Sequence, residues 1–140
     1  MASVEEHIEI PASADTVWET VRDFGAIDDY VPPITHAELS GEGIGARRTL
    51  SLADGGQVVE QLDARDDESR TLGYSIVDAP LPVANYEGTM SVEPISDAAC
   101  RVTWASEFDV AADAPEAEVT STFAELYAAG LDGLRKQYAA

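Results

Sequence analysis

The stretch Asp113-Ala114-Pro115-Glu116-Ala117-Glu118-Val119-Thr120-Ser121-Thr122-Phe123-Ala124-Glu125-Leu126-Tyr127-Ala128-Ala129-Gly130-Leu131-Asp132-Gly133-Leu134-Arg135-Lys136-Gln137-Tyr138 decides how the rest of the chain is read. Val119, Phe123, Leu126, Tyr127, Gly130, Leu134 and Tyr138 form one apolar stripe at helical spacing, behind a capping-box pattern at Asp113 to Glu116. This predicts a long amphipathic helix of about six turns. A helix with one apolar stripe needs a surface to bury it against, and the preceding residues must supply that surface.

Working back, Ile34 to Asp109 has a period of two, broken by turn signals at Gly41-Glu42-Gly43, Asp54-Gly55-Gly56, Asp66-Asp67-Glu68, Ala79 to Asn85 and Ser96-Asp97. Six strands joined by hairpins follow from this. Val4 to Ile10 alternates well enough to be a seventh. Between it and the meander, Ser13 caps a helix over 14–24 with Gly25 as its stop, and a second short turn from Ala26 to Tyr30 ends at Pro32-Pro33. The fold class is α+β: a curved seven-stranded antiparallel sheet wrapped around the long C-terminal helix, with two short helices after the first strand. Residues 1–140 are expected to form a single domain. Gly73, Gly88 and Pro94 mark expected bends or bulges. Where the wrap is incomplete, a cavity is left between sheet and helix.

The charge narrows the partners. Lys and Arg total 8 against 27 Asp and Glu, a formal net charge of −19, while 45% of residues are hydrophobic. Such a body repels phosphate backbones and anionic lipids, so neither nucleic-acid binding nor membrane insertion is expected. The densest basic spots are only Arg47-Arg48 and Arg135-Lys136. Seven of the eight basic residues are arginine; the pattern suits a protein working in high salt, and equally an acidic surface from a GC-rich genome. One cysteine, Cys100, and two histidines, His7 and His36, are too few for a disulfide or a metal cluster, so neither metal nor other cofactor is expected. No basic segment followed by an apolar run opens the chain, which reads as cytoplasmic, a monomer or weak homodimer.

The residues Ile8-Glu9-Ile10-Pro11-Ala12-Ser13-Ala14-Asp15-Thr16-Val17-Trp18, then Asp23-Phe24 and Tyr30-Val31-Pro32, resemble the opening of the START-like, helix-grip proteins of the polyketide cyclase/dehydrase and Bet v 1 group. The order of elements resembles theirs over the whole chain, which implies the helix-grip fold. It implies function less narrowly, because the group includes lipid and hormone binders, cyclases and co-chaperone domains. The run Glu60 to Glu68, Tyr74-Ser75-Ile76 and Asn85-Tyr86 also resembles abscisic-acid receptors, in which residues matching Glu60 and Tyr86 line the hormone pocket. The receptors' gate and latch motifs are not kept at Ser51 to Gly56 or at Leu81-Pro82-Val83. The resemblance implies a shared scaffold and not hormone sensing.

Strand parity gives a reading independent of resemblance. Even-numbered positions are the less polar ones: Ala46, Arg48, Leu50 and Leu52; Val58, Glu60, Leu62 and Ala64; Leu72, Tyr74 and Ile76; Tyr86, Gly88, Met90 and Val92; Cys100, Val102, Trp104, Ser106 and Phe108. One arginine and one glutamate therefore face an apolar wall. A three-residue hairpin at Asp54-Gly55-Gly56 sets Leu52 opposite Val58, with Arg48 on the diagonal from Glu60, so an inward ion pair is expected. The alternative is a strand end open to water, with Arg48 reaching outward and Glu60 bonding a hydroxyl. Tyr74, Tyr86 and Trp104 add polar tips on apolar bodies. Phe123 and Tyr127 close the cavity from the helix. The candidate ligand-binding set is thus Arg48, Glu60, Tyr74, Tyr86, Met90, Trp104, Phe123 and Tyr127, against ordinary core packing for each residue singly. Cys100 reads as core, His36 as a surface residue, and the loop Gly41-Glu42-Gly43-Ile44-Gly45 as lying at the cavity mouth.

Three functions compete on these residues. The first is binding or transport of a small hydrophobic molecule, lipid-, polyketide- or aromatic-like. The second is a cyclase or dehydratase in which Glu60, the one catalytic candidate, removes a proton alpha to a carbonyl. The third is a co-chaperone-like module working through its outer surface.

Overall fold

The computed structural model describes residues 1–138. Strand β1 (Ala2–Ile10) leads into helix α1 (Ala14–Val21) and a 3₁₀ helix (Phe24–Asp29). Six strands follow: β2 (Ile34–Ser40), β3 (Arg47–Leu52), β4 (Gln57–Asp66), β5 (Thr71–Asp78), β6 (Val83–Ser96) and β7 (Ala99–Val110). Helix α2 (Glu116–Lys136) ends the chain of elements. All seven strands form one antiparallel sheet in the order β1-β7-β6-β5-β4-β3-β2, so β1 and β2 are its edges. This is the curved sheet gripping a long C-terminal helix. No described helix is long and apolar enough to cross a membrane.

Local chemistry sets the element ends. The Ser13 hydroxyl accepts the Thr16 N–H at 3.2 Å and caps α1, as the sequence reading expects. The helix stops at Val21, short of 24, because Phe24 opens the 3₁₀ helix, and Gly25 lies inside that second element instead of terminating the first. The capping box is absent from α2. Pro115 occupies the cap position and has no hydroxyl or carboxylate to offer, so no side chain caps the helix. Instead, Glu116 and Glu118 in the first turn and Arg135 and Lys136 in the last complement the helix dipole. The buried stripe of α2 is Phe123, Tyr127, Gly130, Leu131 and Leu134; Leu131 joins it and Val119 and Leu126 are only partly covered.

Two glycines on α2 are contact surfaces. A Cβ at Gly133 would lie 1.9 Å from the Tyr30 carbonyl oxygen, and one at Gly130 would lie 2.8 Å from the Trp104 ring. The helix therefore approaches the chain after the 3₁₀ helix backbone to backbone. Gly133→Ala gains about 1 kcal/mol of helix propensity and must push that backbone aside. The expected net loss is about 2–3 kcal/mol in urea melts. An unchanged midpoint would mean that α2 does not pack at this distance.

Inward parity holds through β3, β5, β6 and β7, where every even position named above is buried except Leu52 and Ile76, which are half-buried. In β4 it holds only to Leu62. A bulge between Leu62 and Ala64 adds one residue, and Ala64 turns out to solvent. Gly73 faces that bulge and Pro94 borders another, as bends were expected there. Gly88 borders none. Its missing side chain makes room for the Tyr74 ring, whose atoms lie 2.4 Å from where a Cβ would stand.

Candidate functional site

Between the concave sheet and α2 lies a cavity of about 750 Å³. Its floor is Tyr74, Tyr86 and Trp104 from the sheet, and Phe123 and Tyr127 face them from the helix. Ala53, Asp54, Leu81, Pro82, Pro115 and Glu118 form the rim, all but Leu81 exposed. The rim thus comes from the β3–β4 and β5–β6 turns and the start of α2. The Gly41–Gly45 loop is not part of it: the Gly45 N–H bonds the Leu62 carbonyl, at the opposite end of the strands from the Ala53–Gly56 turn.

Glu60 is on the wall and Arg48 stands behind it. The β3–β4 turn is closed by the Leu52 N–H donating to the Gly56 carbonyl and so encloses three residues, Ala53-Asp54-Gly55; Leu50 pairs with Val58 and Arg48 pairs directly with Glu60. The loop has the expected length but is set one residue earlier than Asp54-Gly55-Gly56, which corrects the diagonal placement to a direct one. Arg48 Nε donates to Glu60 Oε1 at 2.8 Å, Nη2 lies 2.7 Å from the same oxygen, and Nη1 donates to the Phe24 carbonyl at 3.0 Å. The Nη2 contact is electrostatic, since that nitrogen is not aligned as a donor to any described group. The guanidinium lies 3.8 Å from the Phe24 ring centroid and 5.1 Å from that of Tyr74. Arg48 is 3% exposed and Glu60 7%, which excludes the open strand end with an outward arginine.

Behind the floor runs a chain of hydrogen bonds. Trp104 Nε1 donates to Tyr74 Oη at 2.8 Å, Tyr74 and Tyr86 are joined at 2.8 Å, Tyr86 is joined to Tyr127, and Tyr127 donates to Ser106 Oγ at 2.8 Å. Since Tyr127 gives its one proton to Ser106, Tyr86 must donate to Tyr127, and Tyr74 in turn to Tyr86. The chain has one direction. Trp104 stacks on Tyr127 with centroids 4.4 Å apart, and Phe123 lies 5.5 Å from Tyr86. Burial pushes the Tyr127 phenol up to about 12 and raises Tyr74 and Tyr86 as well, so all three are neutral near pH 7.

Of the eight candidates, six stand on the cavity wall: Glu60, Tyr74, Tyr86, Trp104, Phe123 and Tyr127. Arg48 reaches the wall only through Glu60. Met90 faces the same side of the sheet but is packed in the core at 2% exposure. His36 is exposed, and Cys100 is buried with its thiol pushed up by desolvation. Sequence reading missed Glu118, Glu125 and Asp54 on the wall, because exposed acids are common on this chain and only the packing singles these out.

Known proteins share this fold. The protein XoxI from Bacillus cereus superposes with a TM-score of 0.92 at 29% identity, covering 99% of this chain and 96% of that one. A Thermobifida fusca protein superposes with a TM-score of 0.88 at 33% identity, over 99% and 93% of the two chains. The abscisic acid receptor PYL7 of Arabidopsis thaliana is 30% identical over 89 residues; the match spans 61% of this chain and 42% of the receptor. Residues 1–139 match the family described as polyketide cyclase/dehydrase and lipid transport. A sheet that grips its last helix around a hollow and a match over nearly every residue lead to one assignment: the chain belongs to the polyketide cyclase/dehydrase and lipid transport family.

Proposed function

We propose that the chain binds a small, largely apolar molecule, lipid-, polyketide- or aromatic-like, in the cavity between the sheet and α2. The observation that carries this reading is the cavity itself. Protein interiors pack nearly as densely as organic crystals and apolar side chains gain by burial, so folding alone disfavours leaving an apolar hollow of about 750 Å³ between sheet and helix. That volume lies within the range of ligand pockets, and the wall is apolar with a few polar tips, as such pockets are. The family's lipid-transport description and the hormone-receptor relative support the same reading.

Binding is favoured over turnover by the state of the polar groups. Glu60 Oε1 is engaged by Arg48, and the phenols are neutral and hydrogen-bonded to one another. An enolising cyclase needs a free base beside a free oxyanion donor, and this wall has carboxylate oxygens to spare but every side-chain donor already engaged within the protein. An interaction module would need no hollow of this size.

The neutral dye N-phenyl-1-naphthylamine is expected to bind at one saturable site with a rise in fluorescence. Ile76 is half-buried on the wall, so Ile76→Trp should occupy the space and weaken the dye at least tenfold with the circular dichroism spectrum unchanged. Equal dye binding by that variant would place the site elsewhere.

A further inference from the structure

The wall has a one-sided chemistry. Its charged members are Asp54, Glu60, Glu118 and Glu125, and no lysine, arginine or histidine stands among them. Its five side-chain donors are Trp104, Tyr74, Tyr86, Tyr127 and Thr122, and each donates within the protein. Four form the directed chain ending at Ser106, and the Thr122 hydroxyl donates to the Glu118 carbonyl at 2.8 Å. Acceptors are left over. Among the described residues nothing donates to Glu60 Oε2, and each phenol oxygen retains a lone pair after accepting one bond.

Resting on the proposed binding function, we infer that the ligand carries a hydrogen-bond donor, a hydroxyl or an amine, and that the cavity rejects carboxylic acids. A ligand hydroxyl or ammonium meets acceptors already in place and leaves the phenol chain intact. A carboxylate meets no cation and no free side-chain donor. To receive a hydrogen bond it must break the chain, and to enter at all it must pass Asp54 and Glu118 at the rim. The nearest cation, Arg48, is shut behind Glu60, its guanidinium held by Oε1 and the Phe24 carbonyl and lying against the Phe24 and Tyr74 rings. Burying an anion in such a setting costs far more than burying a donor that finds its acceptor.

The test uses three competitors of one shape against bound N-phenyl-1-naphthylamine: 2-(2-naphthyl)ethylamine, 2-(2-naphthyl)ethanol and 2-naphthylacetate. The titrations are run in 1 M KCl, where the screening length falls to about 3 Å and the field of the whole acidic body is removed. Amine and alcohol should each displace the dye at least tenfold more tightly than the acetate. Glu60→Gln retains a carbonyl for Arg48 Nε while removing the charge that cancels the guanidinium, so acetate should bind that variant at least tenfold better than it binds the native chain. Should Glu60→Gln fold poorly, Glu118→Gln with Glu125→Gln, both exposed on α2, should narrow the amine-to-acetate ratio about threefold. Acetate displacing the dye as well as the amine in the native chain overturns the donor rule and leaves the binding function standing. A dye that does not bind at all overturns the binding function itself. Acetate affinity unmoved by Glu60→Gln, with the variant folded, overturns the role given to the shielded Arg48.

Discussion

Glu60→Leu should cost about 3–5 kcal/mol of stability, the loss found when one partner of a buried ion pair is removed. Domains of this size are stable by only about 5–15 kcal/mol, so the variant should melt far below the native chain. The loss falls unequally on the two partners. Arg48 is sealed behind the wall, so without Glu60 its charge keeps only the Phe24 carbonyl and two aromatic faces. Glu60 borders the cavity, so in Arg48→Met water can reach the carboxylate, and the cost should be smaller, about 2 kcal/mol. The double variant Glu60→Leu with Arg48→Met replaces the pair by apolar volume and should recover most of the loss. Urea denaturation of the four proteins forms a double-mutant cycle. Additive losses would mean that the pair does not act as a unit.

The pair also shows how far the sequence could be read. One face of each strand from β3 to β7 is buried over most of its length, so a period of two must appear in the residues, and that alternation alone places Arg48 and Glu60 inward. Their direct opposition was not legible. It depends on which three residues form the turn, and Ala53-Asp54-Gly55 and Asp54-Gly55-Gly56 fit equally well; the Leu52 to Gly56 hydrogen bond settles it. The same limit explains Ala64. A bulge is one unpaired residue, and nothing in Gln57 to Asp66 distinguishes the bulged strand from a straight one. The sequence carries the first helix to residue 24 because apolar spacing continues into the 3₁₀ helix, so Phe24 reads as one more turn. The aromatic wall could be foreseen as a set of inward residues. The direction of its hydrogen bonds could not, because that follows from which oxygens come within 2.8 Å across three strands and a helix.

Alkali should unfold the protein through these same phenols. Tyr30 and Tyr127 are each pushed by burial from 10.0 to about 12, and Tyr74 and Tyr86 are raised for the same reason. Below pH 10 the phenols are protonated in both the folded and unfolded chains, and they contribute nothing to the pH dependence. Between pH 10 and 12 the unfolded chain gives up protons that the folded chain retains, so stability falls as pH rises. Two units correspond to about 2–3 kcal/mol for Tyr30 and again for Tyr127, with Tyr74 and Tyr86 adding to the same slope. Together these approach the whole stability of a domain this size. Absorbance at 295 nm and circular dichroism should therefore change together above pH 10, with these four of the five tyrosines ionising only as the fold is lost. Tyr127→Phe removes one such group and should shift the midpoint to higher pH, because its unfolded chain has one fewer proton to release. If all four phenols instead ionised reversibly near pH 10 with the dichroism still native, they would be in contact with water, and the closed floor of the cavity would have to be redrawn.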